Sequence, residues 1–306
     1  MLNIHFAPLQ GYTEDSYRRI HHKVCGGISS YYTPFVRWEH GSVRSKDKRD
    51  IRAQFNEGVP VVPQIIASEP DEMQKLIDAV QSEGYTRIDL NMGCPFPLQT
   101  RHTHGAGILP HPEKVAALCQ IIEKEKQISF SVKMRLGLNR ADEWKEILPI
   151  LNGTPLQHVT LHPRIGAQQY KGMVDMNSFQ EFLLQCQHPI IYNGDITTVD
   201  DILRIEQQFP TLSGIMIGRG LLARPTLAME YANGTALTDA QVTSTLVQMH
   251  QLLLEHQQTV IPGEAALLNK IRTFWDYTEP TIGHKAWKKL KKAGNLKNYL
   301  ATVNWI

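Results

Sequence analysis

The sequence predicts an α/β chain, a (β/α)8 TIM barrel over residues 1–235 followed by an all-helical domain over residues 236–306. Three observations carry that expectation. Eight short runs of β-branched or apolar residues recur before Glu230, helical patterns separate them, and no strand signal follows Glu230. Eight regular strand-helix units favour a closed barrel, usually of about 250 residues, over an open doubly wound sheet.

In chain order the runs are NIHFAPL, SSYYTPFV, VPVVPQII, RIDLNMG, FSVKMRL, HVTLHPR, PIIYNGD and GIMIGRG. After the third, PDEMQKLIDAVQSEG sets Met73, Leu76, Ile77 and Val80 on one helical face and ends at Gly84. After the fourth, HPEKVAALCQIIEKEK opens a helix with Pro112, and Cys119 falls on its apolar face as a packing residue. The domain boundary is expected in EYANGTALTD, where Asn233 and Gly234 break the pattern and Thr238 or Asp239 caps the next helix. Beyond it, TDAQVTSTLVQMHQLLLEHQQ, GEAALLNKIRTFWDYT and GHKAWKKLKKAG read only as helices.

With 306 residues, 42% hydrophobic and 20% charged, the chain can bury a large core. No apolar run approaches the roughly 20 residues that span a bilayer. The start MLNIHFAPLQGY reads as a first strand rather than a signal peptide, so a cytoplasmic protein is expected, and separately a monomer. Cys25, Cys94, Cys119 and Cys186 form no C-x-x-C pair, which implies reduced thiols. Only Cys94 has an unusual setting. RIDLNMGCPFPLQ begins as a strand and stops on Asn91, Met92, Gly93, Cys94 and Pro95, holding a thiol between a glycine and a proline. Such a residue is either a small buried side chain or a reactive group at the lip of a scaffold.

Active sites of barrel enzymes lie at the C-terminal ends of the strands, so polar residues there point to chemistry. In FSVKMRL, Val132, Met134 and Leu136 share one face while Ser131, Lys133 and Arg135 share the other. A buried ammonium needs a partner, and Arg135 beside Lys133 favours an anionic or polar ligand over an internal ion pair. HVTLHPR repeats the arrangement with His158, Thr160, His162 and Arg164. Gln64 and Asn193 are amides within apolar runs. NGDI, Asn193 to Ile196, and IGRGLLARP, Ile217 to Pro225, end the last two strands with glycines, where barrels bind phosphate, and Arg219 is a candidate phosphate partner. His102 and His104 lack a neighbouring Cys or acidic set, so no metal is expected. A lysine Schiff-base aldolase acting on a phosphorylated substrate would use Lys133 above such loops, but leaves Cys94 unexplained.

Together these motifs resemble the flavin-dependent tRNA-dihydrouridine synthases over nearly the whole chain: APLQGYTED, PFVRW, DLNMGCP, GAGIL, VKMRLG, HPR, YKGMVD, NGDI and IGRG occur in this order. PFVRW is most similar to the bacterial C-type subgroup. The resemblance implies an FMN enzyme that reduces a uridine of tRNA with NADPH or NADH. It implies Cys94 as proton donor to carbon 5 of uracil. Ala7, Pro8, Leu9, Gln64, Lys133, His162, Asn193, Gly194, Asp195, Gly218 and Arg219 would hold the cofactor, and Asn91, Arg135 and Arg164 the substrate. Leu9 stands where the family usually has Met. PFPLQTRHTHGAG replaces a shorter, lysine-bearing approach to the glycines, with Arg101, His102 and His104 as the substitute cations.

Net charge is only +2, but its distribution is uneven. No acidic residue follows Glu279, while Lys285, Lys288, Lys289, Lys291, Lys292 and Lys297 do. Lys288, Lys289, Lys292 and Arg272 are expected at a tRNA surface, as is Arg37 from the basic group that follows the second strand. A catalytically silent RNA-binding barrel is the remaining alternative, and a Lys-rich solvated face the bland one.

Overall fold

The computed structural model describes all 306 residues. Its strands are β1 (Asn3–Phe6), β2 (Ser30–Tyr32), β3 (Trp38–Glu39), β4 (Ser42–Val43), β5 (Val61–Val62), β6 (Gln64–Ile65), β7 (Arg87–Met92), β8 (Ser129–Gly137), β9 (Leu156–Ile165), β10 (Ile190–Tyr192) and β11 (Gly214–Ile217). Nine of them make one parallel sheet in the order β5-β2-β1-β11-β10-β9-β8-β7-β6. β5 and β6 flank Pro63, which has no N–H for a ladder, though its carbonyl accepts from the Asp89 N–H at 2.9 Å. The two ends of the sheet are therefore halves of one broken strand. The sheet wraps into a barrel of eight staves, each from one of the eight apolar runs.

The antiparallel pair β3-β4 is an addition that the strand-helix alternation does not announce. Its two-residue turn needs positive φ at both positions, and here His40 (51°) and Gly41 (80°) supply it. A His-Gly turn is a weaker sequence signal than Asn-Gly.

The helix Pro70–Gln81 buries the four side chains that its periodicity selects, Met73, Leu76, Ile77 and Val80. Each contributes about 1.5–3 kcal/mol relative to exposure. On β8 the expected alternation holds: Val132, Met134 and Leu136 join the core under the helices, while Ser131, Lys133 and Arg135 point inward. Cross-strand register sets the barrel interior in levels, with Gln64, Asp89 and Ser131 in one and Asn91, Lys133 and Thr160 in another.

The helix Leu227–Asn233 ends at Gly234, and Thr238 caps Asp239–Val260 by accepting from the Gln241 N–H at 3.3 Å. Helices Glu264–Arg272, Glu279–Ile282, His284–Lys292 and Leu296–Val303 follow. Val242, Leu246, Met249 and Leu253 extend the hydrophobic cluster of the barrel into them. A buried polar contact reinforces the join: Glu14, 2% exposed, accepts from Lys270 at 2.6 Å and pairs with Lys46 at 2.7 Å. Lys270 and Lys46 hold the Glu14 carboxyl below its usual range against the upward push of burial. A depressed carboxylate contributes stability at neutral pH that is lost as pH falls through the folded-state value. Lys270→Ala is expected to cost roughly 1–3 kcal/mol at pH 7, and the deficit should shrink on acidification as Glu14 protonates. Urea melts of both proteins at several pH values check this, and a deficit independent of pH would refute it.

Candidate active site

The C-terminal ends of the strands open on a cleft of about 600 Å³, within the range of small-molecule sites. Ala7, Pro8 and Leu9 after β1 form one wall, and Cys94, after β7, forms the opposite rim. Lys133 and Arg135 of β8 and His162 of β9 occupy the floor and side. Asn193, Gly194 and Asp195 after β10, with Gly218 and Arg219 after β11, close the far end. Thus the residues anticipated at six strand ends converge on one space.

Cys94 is 7% exposed and packs with Phe35 and Ile66. Burial raises its thiol above the usual range, while Phe96 N–H, Arg135, Lys133 and Arg37 oppose the shift. The result is a thiol that keeps its proton at neutral pH. Its position is fixed from two sides. Asn91 Oδ1 accepts from the Gly93 and Cys94 N–H groups at 3.1 and 2.8 Å, and Arg135 Nε donates to the Gly93 carbonyl at 3.0 Å. From behind, Ala106 N–H donates to the Cys94 carbonyl at 3.0 Å.

The Lys133 side chain makes no ion pair and no hydrogen bond within the protein. Desolvation, followed by repulsion from Arg135, brings its ammonium down to about 8. The nearest carboxylate, Asp89, is spent on Gln64 and Ser131. A half-buried cation without a partner, lining an open cleft, is the signature of a site for an anionic or electron-rich ligand. His162 is kept well below its usual value by burial and by Arg135, Lys133 and other nearby cations, so its ring is neutral. Its Nε2 accepts from Arg164 Nη1 at 3.1 Å, which leaves the proton on Nδ1.

The structure corrects several single residues. Gln64 does not reach the cleft: it is fully buried one level below, with its amide spent on Asp89 and Asn91, both at 2.7 Å. Arg164 stands behind the wall, donating to Asp195 Oδ1 at 3.0 Å and to the Gly172 carbonyl at 2.6 Å. Asp195 also accepts from Arg219 at 3.3 Å, so two cations surround one carboxylate and the group is net positive. Arg37 is turned to Asp47, at 2.9 and 3.1 Å, and Arg272 donates to the Lys291 and Ala293 carbonyls, capping the end of the Lys-rich helix. Lys46 and Arg49 are likewise drawn to Glu14, so much of that basic group is consumed internally. His104 binds Glu72 at 2.9 Å rather than offering a free cation. Lys288, Lys289 and Lys292 line a separate open groove on the C-terminal helices, while Lys291 is turned to Asp276.

Sequence reasoning missed the aromatic rim. Tyr170 lies under Arg219, with its ring 4.5 Å from the guanidinium carbon, and 5.6 Å from that of Arg135. Tyr12 and Tyr277 meet edge to face at 5.2 Å, and Tyr12 donates to Asp276 at 2.9 Å. YKGMVD contains Tyr170, but nothing in the periodicity of a loop marks it. Tyr277 reaches the cleft from the C-terminal helices, a placement that only tertiary structure gives.

Residues 5–303 match the family model described as Dihydrouridine synthase (Dus). The chain belongs to the dihydrouridine synthase family. Among curated relatives, a probable tRNA-dihydrouridine synthase of Helicobacter pylori (strain ATCC 700392 / 26695) is 30% identical over 252 residues, covering 80% of this chain and 74% of the relative. A tRNA-dihydrouridine(16) synthase of Neisseria meningitidis serogroup A is 29% identical over 268 residues, covering 81% and 78%. A tRNA-dihydrouridine synthase B of Pasteurella multocida is 28% identical over 227 residues, covering 73% and 67%. Among solved structures, histamine dehydrogenase from Rhizobium sp. 4-9 superposes with a TM-score of 0.57 at 10% identity, over 82% of this chain and 49% of the other. Morphinone reductase in complex with tetrahydroNAD gives 0.50 at 11% identity, over 77% and 88%. These two likenesses establish the barrel, which membership of the dihydrouridine synthase family leads one to expect. No helix is long and apolar enough to cross a membrane.

Proposed function

We propose that this chain is a cytoplasmic tRNA-dihydrouridine synthase, an FMN-dependent oxidoreductase that reduces one uridine of tRNA to 5,6-dihydrouridine with NADPH or NADH. The observation that carries the reading is the shared cleft: a buried, protonated thiol at one rim faces an unpartnered Lys133 and a net-positive end at Asp195, Arg164 and Arg219. The cleft fits a flavin mononucleotide by the chemistry of its donors. Ala7, Pro8 and Leu9 would offer an apolar wall, Lys133 and the His162 Nδ1–H would offer donors to its ring, and Gly218 and Arg219 with Asn193 and Gly194 would receive its phosphate.

A flavin held by these residues would supply the hydride that reduces the uracil double bond. Cys94 supplies the proton to carbon 5, and the burial that keeps its thiol protonated suits it to that task. Lys133 would hold positive charge beside a flavin bound there, where negative charge would favour its protonated form. Asn91 and Arg135 fix the Cys94 loop, and Tyr12, Tyr170 and Tyr277 shape the entrance for a base drawn out of the tRNA fold. Residues 236–306 form the RNA-holding domain, with Lys288, Lys289 and Lys292 on phosphates.

The deciding experiment is the visible spectrum of the purified protein before and after anaerobic NADPH, followed by assay of dihydrouridine in added tRNA. A flavin spectrum that bleaches and recovers on adding tRNA supports the reading. A protein that neither carries nor binds FMN overturns it, and a Lys133 adduct trapped by borohydride would point to the aldolase. Replacing Lys288, Lys289 and Lys292 by Ala is expected to reduce the slope of log affinity against log salt by about 2–3. An unchanged slope would assign that helix to solvent alone.

A further inference from the structure

Asp89 belongs to the barrel interior and does not border the cleft. Such interiors are usually filled by branched apolar side chains, and a buried carboxylate costs several kcal/mol unless its neighbours compensate. Two neighbours do: Gln64 Nε2 donates to Oδ2 at 2.7 Å and Ser131 Oγ donates to Oδ1 at 2.6 Å. Satisfaction alone would make this a structural layer. The direction of the hydrogen bonds says more.

The Gly93 and Cys94 peptide N–H groups can only donate, so the Asn91 atom facing them at 3.1 and 2.8 Å is Oδ1. That leaves Asn91 Nδ2 to donate to Gln64 Oε1 at 2.7 Å. Gln64 Nε2 must then donate in turn, to a group that accepts. An ionised carboxylate is such a group. Two amides that could each be turned over by a half rotation are therefore oriented consistently from both ends, by a carboxylate below and a peptide above.

We propose that Asp89 is a positioning residue: through Gln64 and Asn91 it sets the direction of a hydrogen-bond relay that ends on the Cys94 peptide, and so fixes the thiol. The catalytic meaning of this rests on the role proposed for Cys94, but the relay can be tested without any reaction. Lys133 and Tyr32 are the titratable groups that face Asp89 from other strands. Both are unchanged in the test.

Asn91→Asp puts an acceptor-only group at the head of the relay. Gln64 must then donate upward and turn its carbonyl toward Asp89, where two acceptors meet. Asp89→Asn restores a donor at the base, so the double variant carries the whole relay in reverse, while Asp89→Asn alone keeps the original direction. The readouts, taken on the full chain, are thermal stability and the rate of Cys94 alkylation by iodoacetamide, followed on the Cys94 peptide by mass spectrometry.

Asn91→Asp is expected to lower stability and change the alkylation rate by about tenfold, and adding Asp89→Asn to bring the rate back to within about twofold of wild type. Residues 89 and 91 share no hydrogen bond, so such rescue identifies the relay. Additive losses in the double variant overturn it. If Asn91→Asp is unfolded near pH 7.5, the comparison is repeated at about pH 5.5, where a protonated Asp89 can itself donate to Gln64. Recovery at the lower pH, or in the double variant at either pH, supports the relay, and failure of both overturns it. Neither outcome depends on uridine reduction, so an inactive wild type would refute the proposed function and leave this result standing.

Discussion

Cys94→Ala is expected to lower dihydrouridine formation by roughly 10²–10⁴-fold, the usual contribution of a positioned general acid, while leaving flavin binding and NADPH oxidation intact. The asymmetry follows from the cleft. Cys94 sits on the rim opposite the phosphate end and makes no side-chain hydrogen bond that holds Lys133, His162 or Arg219 in place. Removing its sulfur therefore takes away a proton and little else. The pH dependence separates this role from that of a nucleophile. Because burial raises the thiol, the wild-type rate of uridine reduction by pre-reduced enzyme should stay flat as pH passes through the ordinary cysteine range, and fall only at higher pH as the proton is lost. A nucleophilic thiolate would give the opposite slope. Single-turnover rates between neutral and alkaline pH decide, and wild-type product yield from the Ala variant would remove Cys94 from the mechanism.

Gly105→Ala should be nearly as damaging without touching the cleft. Gly105 has a φ of 59°, and a Cβ there would lie 2.7 Å from both the Cβ and the carbonyl oxygen of Cys94 and 2.9 Å from its nitrogen. None of these atoms is the end of a flexible side chain, so the backbone has to move. The strained φ adds about 1–2 kcal/mol to whatever the clash costs. The expected result is a folded but less stable protein that retains flavin and has lost most uridine reduction, since the loop displaced is the one that aims the thiol. Thermal melts with the coupled assay check both parts. Normal activity would show that the Cys94 loop tolerates displacement.

The two segments involved were unequally legible. RIDLNMGCP declares itself because a strand run ends on residues that strands avoid, so the thiol could be singled out from the sequence. GAGIL offers only two glycines, and their purpose, to let one loop lie against the back of another, exists only once both loops are folded. The eight staves could be read for a similar reason: alternation and helical period are local, and Val132 or Met73 needs no distant partner to betray its face. Gln64 shows where this stops. An amide in an apolar run signals a buried hydrogen bond, but whether it points to a ligand or into the barrel depends on Asp89 and Asn91 across the sheet. The basic residues failed by the same logic. Arg37, Lys46 and Arg49 look like a patch on paper because Glu14, which claims Lys46 and Arg49, lies far upstream in sequence, and because the sequence does not show that Asp47 turns back onto Arg37.

Asp276 joins what the domain division separates. It accepts from Tyr12 on the cleft wall and is paired with Lys291 on the helix whose other lysines line the groove. Tyr277 and Pro280 complete the cleft from the same segment, and Thr281 donates to the Ala223 carbonyl at 2.9 Å beside them. The helical part is thus also architecture for the catalytic chamber. A barrel cut free of it would lose one side of the chamber, and a chimera that exchanged the helices for another RNA grip would have to keep residues 276–281 with the barrel.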